Sequence, residues 1–178
     1  YKCEGTELEI VCQETMSPIE CDGYRLPTET EWEYAARSGS KADIWTGEGE
    51  SLGGSPTSNW ECNPTSVIED GASNPPLSDY AWYCQGDNNF PVAQKLPNGF
   101  GLYDMHGNEW EWIGDWDTCE YPASQMDPFC TTEGENKGRK GGDWNGKPFN
   151  AKVSPRYAKP PADRYGSIGF RLARTIIE

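Results

Sequence analysis

The stretch Pro97–Trp116, PNGFGLYDMHGNEWEWIGDW, constrains the chain more than any other. Tryptophan is large and rarely left bare, so Trp110, Trp112 and Trp116 demand a packed core around them. Trp110 and Trp112 recur with a period of two, as on one face of a strand, and Glu109 and Glu111 then point to the other face. The glycines before them let the backbone turn sharply. A tight turn carrying Asp104 and Asn108, beside a strand carrying Glu111, gathers oxygen atoms around a hard cation such as calcium. The spacing is not that of an EF-hand loop. The plain alternative is a set of turn residues and solvated acids on a rigid core.

The rest of the composition bounds the setting. With 178 residues the chain forms one domain, 1–178, with a real core. Twenty glycines and fourteen prolines predict more loop than regular structure. A formal charge of −14 excludes nucleic acid and anionic membranes as natural partners. No apolar run reaches transmembrane length, so membrane insertion is not expected. Seven cysteines without a CxxC pair, and His106 as the single histidine, point away from a zinc site and towards disulfides in an oxidising compartment. Tyr1 is not an initiator, which predicts a piece of a longer chain.

Along the chain, Leu8, Ile10 and Cys12 alternate like a short strand, and a Cys3–Cys12 bridge closes a small hairpin-like loop. Cys21 is then left for a partner upstream, with a free thiol as the alternative. GYRLPTETEWEYAARSG is the clearest helix: Thr28 and Glu31 form a capping box, Trp32, Ala35 and Ala36 an apolar stripe, and Gly39 the end. Lys41 to Asp79 is loop-rich, with short strands expected at Ile44-Trp45 and Val67-Ile68; Asn59-Trp60 and Cys62 tie the region down. Tyr80–Cys84 reads as a strand, and a Cys62–Cys84 bridge covers the loop between those cysteines. Pro91-Val92 reads as another short strand. Cys119 and Cys130 staple a loop that has almost no core of its own. KGGDW at Lys140–Trp144 reads as a glycine kink entering a strand, and IGFRLA at Ile168–Ala173 as the closing strand.

Four blocks together, GYRLPTETEWEYAAR, PNGFGLYDMHGNEWEW, KGGDW and IGFRLA, resemble the formylglycine-generating enzyme family, also called the sulfatase-modifying factor domain, over Gly23 to Arg174. The cysteine-decorated loops are most similar to secreted bacterial members. The resemblance implies an α+β fold, a variant of the C-type lectin-like fold with little regular structure and its N-terminal portion missing here. It implies calcium held by a side-chain oxygen at Asp104, backbone oxygens at Gly107 and Glu109, and the carboxylate of Glu111. A second calcium site of the family would fall within Asn59 to Asn89. The family oxidises a substrate cysteine to formylglycine with two cysteines and thiolate-held copper, since soft ligands select copper(I). The matching positions here are Gly146 and Ala151, and no cysteine follows Cys130. No copper site of that kind and no thiol nucleophile are therefore expected.

Three kinds of function compete at this level. The first is a non-catalytic binding or scaffold module, secreted, at the cell surface or in the periplasm, taking a protein or glycan ligand. Its face would be Trp144, Asn145, Lys147, Phe149, Tyr157, Lys159, Arg164 and Tyr165, aromatics and cations that stand out on an acidic chain. Inward packing of Phe149 and Tyr157 is the bland alternative. The second is an enzyme, either the family's oxidase or one with different chemistry in which His106 acts as a base. The third is a variable ligand-display protein or a subunit of an extracellular assembly.

Overall fold

The computed structural model describes residues 20–45, 62, 77–86, 88–121, 128–130 and 132–175, and the backbone of 2–4 and 11–13. Strands β1 (Lys2–Glu4) and β2 (Val11–Gln13) pair antiparallel with Cys3 opposite Cys12; the expected bridge itself lies outside the described side chains. The short strand expected at Val67-Ile68 and the tie expected at Asn59-Trp60 also lie outside the described residues. Among the described residues, Cys21 is a half-buried free thiol.

Helix α1 spans Glu29–Arg37. The Thr28 hydroxyl accepts from the Glu31 N–H at 3.2 Å, and the Glu31 carboxylate accepts from the Thr28 N–H at 2.9 Å, so two of the first-turn donors are satisfied reciprocally. The helix ends one residue before the expected glycine: Ser38 takes the left-handed conformation (φ 48°), and Gly39 continues the turn. Trp32 and Ala36 face inward and pack with Met105, Ile113 and Val153. Covering one tryptophan of this kind is worth about 4–6 kcal/mol of apolar transfer before entropy is counted.

The central sheet has the order β6-β5-β4-β7. It comprises β4 (Trp110–Trp116), β5 (Lys137–Lys140), β6 (Tyr157–Lys159) and β7 (Ile168–Phe170). β5 runs antiparallel to β4 and β6, and β7 runs parallel to β4. The expected closing strand is split. Its last part, β8 (Ala173–Arg174), crosses to pair with β3 (Tyr24–Arg25). The break falls at Arg171, whose guanidinium reaches back to Glu111.

Other local readings also change. Gly141 and Gly142 have φ of +96° and +78°, which no continuing strand allows, so the glycines leave β5 where entry into a strand was expected. Tyr80–Cys84 contributes only an isolated bridge, Trp82 to Gly107, because its neighbour is a turn. Pro91-Val92 opens a turn closed by Ala93 at φ 60°. Ile44 is a core residue on a bend, packed with Leu77, Ala81 and Ala151.

A charged cluster joins α1 to the sheet. The Lys140 ammonium is fully enclosed and donates to Glu29 (3.1 Å), Glu33 (3.4 Å) and the Ser154 carbonyl (3.2 Å). Arg156 donates to the other Glu29 oxygen at 2.6 Å and to the Cys119 carbonyl at 2.8 Å. The Glu29 N–H donates to the buried Asp115 carboxylate, which also accepts from the Cys130 N–H and the Tyr121 hydroxyl. Buried charges persist only when paired in this way.

Candidate functional site

The turn before β4 is built by side chains that replace regular hydrogen bonds. Asn98 accepts from the N–H groups of Phe100 (3.1 Å) and Leu102 (3.0 Å) and donates to the Ala35 carbonyl at 2.8 Å, fixing the turn on α1. Asn108 accepts from the Phe90 N–H and donates to the Phe90 carbonyl, a two-way clamp. Gly107 donates to the Gly141 carbonyl at 2.7 Å, while the Asn108 N–H donates to the Trp82 carbonyl at 3.0 Å. The backbone of Trp82 therefore presses on Gly107, where a Cβ would lie 2.0 Å from the Trp82 oxygen.

The proposed cation ligands are placed as follows. Asp104 holds a left-handed backbone (φ 56°); one of its oxygens accepts from the Ala93 N–H at 2.7 Å. Its other oxygen is buried with no partner among the described residues. Such an orphaned carboxylate oxygen fits a hard cation. Glu109 meets Asn89 through its side chain, so a cation would use its backbone oxygen. Glu111 is 8% exposed; both its oxygens take the Arg171 guanidinium, and one also accepts from the Trp32 indole at 2.6 Å. It is the donor already most engaged. Among the described residues no three acidic, histidine or cysteine side chains converge, so a cation here depends on the backbone oxygens of Gly107 and Glu109.

His106 is buried, and its Nδ1 donates to the Ala151 carbonyl at 2.7 Å. Burial pulls its pKa down to about 4, against the pull of that carbonyl, so the ring is neutral, and its Nε2 is buried with no partner among the described residues. The surface expected at the C-terminal end is partly dispersed. Asn145, Lys147, Arg164 and Tyr165 are exposed, Trp144 and Lys159 are half-covered, and Phe149 packs against the second core cluster. Tyr157 lies on the Trp110 ring, with centroids 4.8 Å apart, and its hydroxyl donates to Asn150 at 3.1 Å. Lys159 sits over Tyr165 at 5.1 Å.

Asp143 and Arg139 complete this face, and both were missed as contact residues. The Trp110 indole donates to Asp143 at 3.1 Å, and the Arg139 guanidinium lies 4.4 Å from the Trp110 centroid. The available signal was alternation: Arg139 is in register with Trp112 on one side and Tyr157 on the other, so the three share a sheet face. Gly146 and Ala151 are held by their carbonyls, the first by the Cys84 N–H at 3.0 Å, the second by His106. Cys84 is bridged to Cys62, and Cys119 to Cys130, as expected.

Comparison with known proteins agrees with this geometry. Residues 5–176 match the profile of the sulfatase-modifying factor enzyme 1-like domain. The formylglycine-generating enzyme of Streptomyces coelicolor is 32% identical over 165 residues, covering 85% of this chain and 46% of that protein. Among solved structures, Treponema denticola variable protein 1 aligns with a TM-score of 0.67 at 30% identity, over 88% of this chain and 49% of the other. PvdO from Pseudomonas aeruginosa aligns with a TM-score of 0.61 at 28% identity, over 86% and 53%. The chain thus spans about half the length of the relatives it matches.

Proposed function

Because the chain belongs to the sulfatase-modifying factor, or formylglycine-generating enzyme, family, we propose that it is a non-catalytic binding domain of that family. We place it outside the cytoplasm, as one domain with a C-type lectin-like variant of the α+β fold. The observation that carries this reading is the absence of sulfur at Gly146 and Ala151, in a sequence with no cysteine beyond Cys130. Cys84 lies beside Gly146 but is committed to Cys62. Without thiolates, copper(I) has no soft ligands at this mouth and substrate sulfur has no partner. The two disulfides suit an oxidising compartment, and no described helix is long and apolar enough to cross a membrane. Binding would use the face around Trp144, Tyr157 and Tyr165, with a protein partner or another chain of an extracellular assembly. Calcium, where bound, would be held by Asp104, Glu111 and the backbone oxygens of Gly107 and Glu109. It would stiffen the turn before β4.

The test is direct. Incubated with copper(I), oxygen and a cysteine peptide that a family oxidase converts, this chain should leave the peptide unchanged by mass spectrometry. Conversion that depends on the chain would overturn the reading. One observation favours a second reading, variable ligand display: the structural likeness to Treponema denticola variable protein 1. An adenine-biased template copy of the segment between Trp144 and Ile168 beside the gene would support it, and a locus without one would remove it.

A further inference from the structure

Most of the buried and half-buried cations near α1 and the central sheet are ion-paired among the described residues. Arg25 pairs with Glu31, Arg37 with Glu33, Lys140 and Arg156 with Glu29, and Arg171 with Glu111. Arg139 stacks on Trp110 but forms no ion pair among the described residues, although the chain carries a formal −14. Its Nε is buried without an acceptor. The nearby Asp143 turns one oxygen to the Trp110 indole. Burial pulls the Arg139 pKa down, opposed by Asp143, Tyr157 and Tyr165, which marks the charge as incompletely compensated. A half-buried guanidinium stacked on an indole is rigid, and with its Nε enclosed it meets a ligand through its outer Nη edge.

We infer that Arg139 receives the carboxylate of a peptide ligand, with Asp143 beside it to accept an N–H from the same peptide. This rests on the binding reading above. The guanidinium edge presents parallel N–H groups that match a planar carboxylate two for two. Asp143 next to it disfavours a dianion such as phosphate or sulfate, since the second negative charge meets a like charge. Side by side, a cation fork and an acceptor suit a group that is both anion and amide donor, as a peptide terminus is. A sugar acid is a poorer fit. Sugar rings stack on open aromatic faces, whereas the Trp110 ring beside this pair is covered by Arg139 and Tyr157.

Arginine Nε–H resonances of the whole chain provide the test, with N-acetyl-alanyl-alanine, its C-terminal amide, glucuronate and sulfate as probes. The free acid should move the Arg139 resonance, and the amide should not. Arg139→Gln should weaken the acid by about tenfold or more, and Lys95→Gln, at a lysine that sits over Trp82 and donates to the Ser78 carbonyl, should leave it unchanged. Arg139→Lys, which keeps the charge without the fork, should also weaken it. Equal shifts by acid and amide, no shift by the acid, or a response to glucuronate or sulfate in its place would each overturn the assignment. The acid and amide pair on the unmodified chain decides even where a variant misfolds. A silent Arg139 together with an unconverted cysteine peptide discards this assignment and leaves the binding domain standing. Chain-dependent conversion of that peptide discards the binding domain whatever Arg139 does.

Discussion

At Gly107 a methyl group meets backbone. The position has φ +72°, and an added Cβ would overlap the Trp82 carbonyl. Gly107→Ala should therefore cost about 3 kcal/mol or more, combining left-handed strain with overpacking. Urea denaturation measures it, and a midpoint equal to the parent's would show that Trp82 yields freely. Three residues earlier, the orphaned Asp104 oxygen makes a different claim. Calcium that binds only the native state must raise the melting temperature, and chelation must lower it. Asp104→Asn should blunt that response, whereas an unchanged melt with and without chelator would remove the cation. The turn chemistry at Asp104 and Asn108 was legible from residue types. The clamp of Asn108 on Phe90 was not, because it joins residues eighteen apart through a loop with no periodicity to read.

Helix α1 was the most legible element, since its cap, first-turn acids and apolar stripe all agree locally. Glu31 both closes the cap and pairs with Arg25 at 2.6 Å. Burial raises its pKa, but the Arg25 and Thr28 hydrogen bonds outweigh that, and the native value lies below the usual 4.5. A depressed carboxylate stabilises the fold above its unfolded value, and that contribution fades as pH falls through the native one. Glu31→Gln should thus cost about 1 kcal/mol near neutral pH, a modest figure because the side chain is partly solvated. The gap between parent and variant should close in acid. A gap constant with pH would sink the argument. The split of β7 from β8 was hidden for the opposite reason: Arg171 looks like any alternating polar residue until Glu111, sixty positions away, claims it.

At the scale of the whole molecule, long-range ties do the work that a small, loop-rich core cannot. The Cys119–Cys130 bridge spans eleven positions of sequence. Replacing both cysteines by serine should cost about 3 kcal/mol by the chain-entropy estimate. Thermal melting of the double variant reads this directly, and a loss well under 1 kcal/mol would assign the loop's order to Asp115 and Tyr121. These bridges were legible from cysteine spacing, whereas the knot of Lys140, Glu29 and Arg156 was not, because its members look like ordinary surface charges in a linear reading. Its consequence is chemical. An amine sealed at 0% exposure cannot meet an acylating reagent while the fold is shut. Peptide-level labelling under mild conditions should spare Lys140 and modify Lys147, and Lys140 should become reactive only as fast as helix and sheet part company. The protein carries within it a built-in clock for its own opening.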